Sequence, residues 1–191
     1  MVGEIRDEAT ARMAVQSALT GHLVLSTLHT NDAAGAVTRL LDLGIEPYLV
    51  ASSVLAVLAQ RLVRRVCPNC KRFAALTDPD YFALNIAPFG HDQASAAHGD
   101  GCERCLGTGY FERVGIFELL HVDDIIRSLI VERCEAAAIK NAATGAGMTT
   151  LRQDAIAKLL DGETTVTEVN RVTQAGGDAI EIDCGSSKSA N

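Results

Sequence analysis

Apolar and polar positions follow two different rhythms along the first third of the chain. Residues 1–5, MVGEI, form a short apolar run that reads as a strand. Behind it, Ala11, Ala14, Val15, Ala18 and Leu19 recur at the spacing of one helix face. Asp7 and Glu8 complement the positive end of that helix, and Gly21 stops it. HLVLSTLHT, residues 22–30, is nearly continuously apolar, as in a parallel-sheet strand buried on both faces. In TNDAAGAVTRLLDLGIEP, Asn31 or Asp32 offers a side-chain oxygen to free helix amides, and Gly44 ends the helix. Pro47 opens a further element. The run YLVASSVLAVLAQRLV, residues 48–63, is apolar almost all round and predicts a buried helix. Strand, helix, strand, helix is the order of a βαβ unit, which needs more parallel strands than this sequence plainly offers.

Residues 66–111 lose this periodicity and read as a small inserted module between two cysteine pairs. RVGIFELL then predicts a strand, and DDIIRSLIVE and CEAAAIKNAAT two short helices. GAGMTT is a loop, and TLRQDAIAKLLDGET is an amphipathic helix ending at Gly162. TTVTEVNRVTQ begins with a capping box, Thr165 and Glu168, each side chain serving the other's backbone amide. From Gly176 the sequence lacks helical period and is expected to fray.

Composition narrows the class. The 191 residues suffice for a real core, and 48% hydrophobic content with mean hydropathy +0.14 indicates a globular chain. With 4% aromatics and no Trp, the core must be aliphatic. A net charge of −7 argues against a general nucleic-acid binder, despite the local basic cluster Arg61, Arg64, Arg65, Lys71 and Arg72. No apolar run reaches the roughly 18 residues of a membrane span, and the first residues show no basic region followed by an apolar stretch. The cytosol is then the default compartment, where six cysteines read as metal ligands or free thiols rather than disulfides.

CPNC and CERC carry the strongest chemistry. Cys67, Cys70, Cys102 and Cys105 form two CxxC knuckles, each aiming two thiolates at one point. Together they complete a tetrahedral zinc site. Disulfides, a redox pair or free thiols are the alternatives. Four thiolates leave no open position for water, so such a zinc would be structural. Cys134 and Cys184 lack partner spacing and read as bystanders, His22 and His121 as surface residues, and His91 and His98 as superfluous to a filled tetrahedron.

Glu4 and His29 form the second candidate site. Both lie just past apolar runs, and parallel strands deliver their carboxyl ends to one ligand-binding rim. Were the strands neighbours, the carboxylate would orient or deprotonate a water and the imidazole would contact a γ-phosphate. The alternative is a Glu4 paired with Arg6 and a histidine serving the next helix. GxxxxGK[ST], the phosphate-cradling loop, does not occur in the sequence.

VGEIRD, GHLVLSTLHTNDA, RLLDLGIEPYLVASSVLAVLAQRLVRRVCPNCK, GCERCLGTGY and VGIFELL, in this order, resemble the C-terminal half of the type II secretion ATPases, the general secretory pathway protein E family. The type IV pilus assembly ATPases are close relatives. The likeness runs from residue 1 to about 174 and includes the closing helices, MTTLRQDAIAKLLDGETTVTEVNRVT. It implies an α/β fold: the C-terminal half of a RecA-like P-loop ATPase core (1–65), a tetracysteine zinc module (66–111) and a strand and helical C-terminal subdomain (112–175); residues 176–191 lie past the likeness and are expected to be a flexible tail. It also implies a hexameric, cytoplasmic motor, held at the inner membrane by partner proteins, that hydrolyses Mg-ATP to power secretion. By resemblance Glu4 ends the Walker B strand as the catalytic carboxylate, Arg6 lies near the nucleotide, and His29 belongs to the His box. The four cysteines match the family's structural zinc site.

The chain departs from the family pattern in two ways. Ala9 stands where the family usually has Glu, which removes a first-turn acid, with Glu8 beside it in compensation. The Walker A loop and acidic box are missing, so Met1 is expected to be an internal residue of a longer motor and the chain alone to be inactive. The rival readings are a pilus assembly motor fragment, a non-enzymatic zinc-ribbon interaction module, and an arginine-lined nucleic-acid-binding ribbon.

Overall fold

A computed structural model describes residues 1–87 and 94–173. His91, Cys184 and the tail lie outside the described residues. The chain divides into two compact units that interleave along the sequence. Among the described residues, one comprises Met1–Ala59 with Leu119–Met148, the other Gln60–Glu118 with residues 149–173.

The first unit holds α1 (Glu8–Leu19), α2 (Ala33–Asp42), α3 (Pro47–Ser53), α5 (Asp124–Val131) and α6 (Ala136–Gly145). Their starts follow the capping chemistry. Asp7 accepts from the Thr10 amide at 2.8 Å, Asp32 from Gly35 at 2.9 Å and Asp123 from Ile126 at 2.9 Å. Gly21 and Gly44, at φ +94° and +84°, turn the chain out of α1 and α2. Glu8 pairs with Arg12 at 2.7 Å, and Arg12 also reaches the Gly44 carbonyl, which ties α1 to the end of α2. The core is aliphatic, centred on Ile45, Val50, Leu120, Ile126, Ile130 and Ile139. Cys134 sits between α5 and α6 rather than within a helix.

Residues 1–5 and 22–30 are extended but form no regular ladder. They lie side by side through two backbone bonds, Val2 N–H to Leu25 C=O and Ile5 N–H to Thr27 C=O, both 2.9 Å. The residue numbers rise together, so the segments run parallel.

The helix expected over residues 48–63 stops at Ser53. Val54 turns extended, φ −82° and ψ 123°, and β1 (Ala56–Val66) follows. A run apolar at every position has no period with which to tell helix from strand. Pairing decides it. β1 lies beside β4 (Tyr110–His121), with Val122 N–H bonded to Leu55 C=O and Cys67 N–H to Gly109 C=O, an antiparallel match. Along β1, exposed Ala56, Leu58, Gln60 and Leu62 alternate with the more buried Val57, Ala59, Arg61 and Val63.

The second unit contains β2 (Lys71–Ala75), α4 (Asp78–Leu84), β3 (Ser95–Gly99), α7 (Leu151–Leu160) and α8 (Val166–Thr173). β2 and β3 pair antiparallel, Lys71 opposite Gly99 through Ala75 opposite Ser95. At α8 the expected capping box is half made. The Thr165 hydroxyl meets the Glu168 amide at 3.3 Å, but the Glu168 side chain turns away. It is fully buried, bonded by Arg64 and Arg171, whose charges outbid a neutral backbone amide.

Candidate active-site pair and metal centre

Glu4 stands at the end of the first extended segment and His29 near the end of the second. Parallel alignment brings these ends together, and His29 Nε2 lies 2.6 Å from Glu4 Oε1. Glu4 Oε2 meets the Arg6 guanidinium, also at 2.6 Å. One carboxylate thus contacts both partners that the sequence offered as alternatives. Hydrogen bonding from Arg6 leads the forces that hold the Glu4 carboxyl below its ordinary range, against a smaller opposing effect of burial, and His29 adds to them. Glu4 is mostly covered, 22% exposed, whereas the His29 side chain is 87% exposed and faces solvent. The Thr27 hydroxyl donates to the Gly3 carbonyl at 2.8 Å, so Thr27 bonds the residues on both sides of Glu4. Sequence reading missed Thr27; its place two residues before His29, on the same side of an extended segment, was the available signal.

The four cysteines converge in the second unit. All four sulfurs lie within 4.8 Å of one another, with Cys67–Cys102, Cys70–Cys105 and Cys102–Cys105 separations of 3.8, 3.9 and 3.7 Å. These exceed the roughly 2.05 Å of a disulfide, so the alternative of paired bridges fails here. A regular tetrahedron with zinc–sulfur bonds of about 2.3 Å has edges of about 3.8 Å. The donor set therefore fits a single four-coordinate ion. His98 takes no part: it lies on β3 and pairs with Asp100 at 3.4 Å.

The long spacer between the knuckles is explained by the β2–β3 hairpin arm. Cys70 feeds directly into β2, β3 returns to the second knuckle, and the Asp100 amide bonds the Cys70 carbonyl at 3.2 Å. The excursion leaves and re-enters at one point, so its length does not affect the site. Backbone amides also prepare the sulfurs. Cys105 Sγ receives N–H bonds from Cys102 at 3.2 Å and Gly109 at 3.3 Å. Burial pushes this thiol up, but those donors outweigh it and bring it to about 6. The Asn69 side chain is the main influence holding Cys102 below its ordinary value, and burial pushes Cys70 up to about 12. Asn69 and Gly109 were the contributors that spacing alone did not reveal.

Comparison with known proteins places this geometry. Residues 1–171 match the family described as type II/IV secretion system protein. The chain belongs to this family. It is 51% identical over 170 residues to the type IV pilus assembly ATPase PilB of Thermus thermophilus, covering 88% of this chain and 19% of that protein. It is 49% identical over 174 residues to the type II secretion system protein E of Pseudomonas aeruginosa, covering 91% of this chain and 34% of the relative. The chain therefore spans between a fifth and about a third of these two secretion-family relatives. The fold is shared with solved structures of the Yersinia pseudotuberculosis ATPase DotB, TM-score 0.59 at 18% identity, and the pilus retraction motor PilT with bound ADP, TM-score 0.59 at 22% identity. These cover 91% and 90% of this chain, and 36% and 38% of theirs. Among the described residues, no helix is long and apolar enough to cross a membrane.

Proposed function

We propose that this chain supplies the water-activating part of a secretion ATPase, a cytoplasmic hexameric motor that couples ATP hydrolysis to type II secretion. The observation that carries the reading is the Glu4–His29 contact, a carboxylate and an exposed imidazole 2.6 Å apart at the ends of two parallel extended segments. Arg6 keeps Glu4 ionised, which suits a group that orients and polarises water more than one that removes its proton outright. His29, open to solvent, is free to turn toward a transferred phosphate. Mg-ATP is the substrate. The chain contains no GxxxxGK[ST], so the cradle for its phosphates must come from other residues, and the 191 residues alone should turn over ATP only at background rate.

The same proposal assigns functional segments: ATPase core 1–65, metal module 66–111, C-terminal subdomain 112–175. It also assigns zinc to Cys67, Cys70, Cys102 and Cys105 as a structural staple, and inner-membrane proteins of the secretion machine as partners. The greater identity to a pilus assembly ATPase keeps type IV pilus assembly as the second reading of what the motor drives.

The test is a chimera in which this chain replaces the matching part of the Pseudomonas aeruginosa type II secretion system protein E. ATP hydrolysis that disappears in Glu4→Gln supports the reading. Hydrolysis that persists undiminished in Glu4→Gln overturns it.

A further inference from the structure

The Glu4-bearing segment is short and has no regular ladder to hold it. Its two backbone–backbone bonds to the neighbouring extended segment are the Val2–Leu25 and Ile5–Thr27 pairs. Glu4 lies between those two bonds and meets Arg6 and His29 together, each at 2.6 Å.

Thr27 is placed to hold it there. Its carbonyl accepts from the Ile5 amide at 2.9 Å and its hydroxyl donates to the Gly3 carbonyl at 2.8 Å. Gly3 and Ile5 are the chain neighbours of Glu4. One residue therefore grips both peptide groups flanking the carboxylate and fixes the direction in which Glu4 leaves the backbone. Thr27 and His29 are two apart on an extended segment and so share a face. The hydroxyl holds the backbone while the imidazole, two residues along, meets the side chain. Ile5, 8% exposed in the core, anchors the far side of the segment.

We infer that Thr27 is a positioning residue, whose hydroxyl clamps the backbone around Glu4 so that its carboxylate reaches His29. The inference rests on the reading of Glu4 and His29 as the water-activating pair, but its geometry can be tested without nucleotide. A hydroxyl at this position is the required feature. Valine matches the shape of threonine without the donor, and serine keeps the donor without the methyl group.

The experiment is NMR on the 191-residue chain, following the carbon-13 signal of the Glu4 carboxyl and the nitrogen-15 signals of the His29 ring against pH. Arg6 and His29 are the charged and titratable groups that face Glu4. In Thr27→Val the Glu4 midpoint should rise toward the ordinary carboxylate range and the His29 Nε2 signal should shift. In Thr27→Ser both should stay as in the unaltered chain. If Thr27→Val leaves both signals in place, or Thr27→Ser behaves like Thr27→Val, the inference falls. Hydrogen exchange in the unaltered chain gives a check independent of any variant: the Ile5 amide should be protected, and free exchange at Ile5 overturns the clamp. Failure of the functional reading would appear elsewhere, as undiminished hydrolysis in the Glu4→Gln chimera, whatever the NMR shows.

Discussion

The Glu168 carboxylate binds Arg64 twice, at the backbone amide over 2.9 Å and at the guanidinium over 2.7 Å. Arg171, one turn along α8, reaches the same carboxylate at 2.7 and 2.8 Å. Arg64 also lies over the Tyr110 ring, 4.0 Å from its centre, and the Tyr110 hydroxyl meets Thr165 at 2.9 Å. These contacts fasten α8 to the strand that leads into the first cysteine knuckle.

Burial pushes the Glu168 carboxyl up, but the Arg171 and Arg64 bonds outweigh it and hold it at about 2, against an ordinary 4.5. A carboxylate with a lowered folded value contributes stability above its ordinary value and loses it as pH falls toward the lowered one. The contribution should be complete above about pH 5 and gone near pH 2. Glu168→Ala should cost about 3 kcal/mol at neutral pH, because Arg64 and Arg171 lose their buried partner. Denaturant unfolding of both proteins between pH 7 and pH 3 checks this: the gap between them should narrow as the solution is acidified.

In the chimera, Glu4→Gln should lower ATP turnover by about 100-fold or more, the range of a positioned carboxylate acting on water. His29→Ala should reduce turnover while leaving the fold intact, since its side chain is 87% exposed. Steady-state hydrolysis and circular dichroism measure the two effects separately.

The purified chain should carry one zinc ion per molecule, measured by elemental analysis. Metal binding in such sites is strongly coupled to folding, on the order of 10 kcal/mol. Removing it with a chelator should therefore loosen the knuckles and the β2–β3 arm, while helices of the first unit keep their protection from hydrogen exchange. Cys105→Ser should reproduce this effect without chelator.

Gly99 and Gly109 cross at close range. A Cβ on Gly99 would sit 2.2 Å from the Gly109 carbonyl oxygen, inside any tolerable contact with backbone. Gly99→Ala should destabilise the second unit by at least about 2 kcal/mol and weaken metal retention. Gly3→Ala is the matched comparison, because nothing lies within 4 Å of the Cβ it would add. Thermal melts with zinc-release assays distinguish the two.

The helix boundaries of the first unit were legible in the sequence, because caps and stops are local chemistry. Asp7 and Asp32 start helices by accepting from amides three residues on, Pro47 through its own fixed φ, and Gly21 and Gly44 end helices through their own backbone. The cysteine spacing was legible for the same reason, since a CxxC turn forms its half of a site without help. Residues 54–66 were not legible. A run apolar at nearly every position suits a buried helix as well as a strand, and only the partner β4 selects the strand. The capping box at Thr165 and Glu168 failed for a related reason: Arg64, 104 residues away in sequence, offered Glu168 a stronger bond than the local amide.

By itself, then, the sequence determined which residue types could do chemistry and which local turns would present them: two thiolate knuckles, and a carboxylate and an imidazole at the ends of apolar runs. Tertiary structure alone decided which of them meet. It set the two extended segments parallel, so that Glu4 and His29 arrive at one end, and folded the spacer into a hairpin arm that returns Cys102 and Cys105 to Cys67 and Cys70. Local chemistry acts over a few residues of chain, whereas contact between distant segments depends on strand pairing and burial of the whole fold.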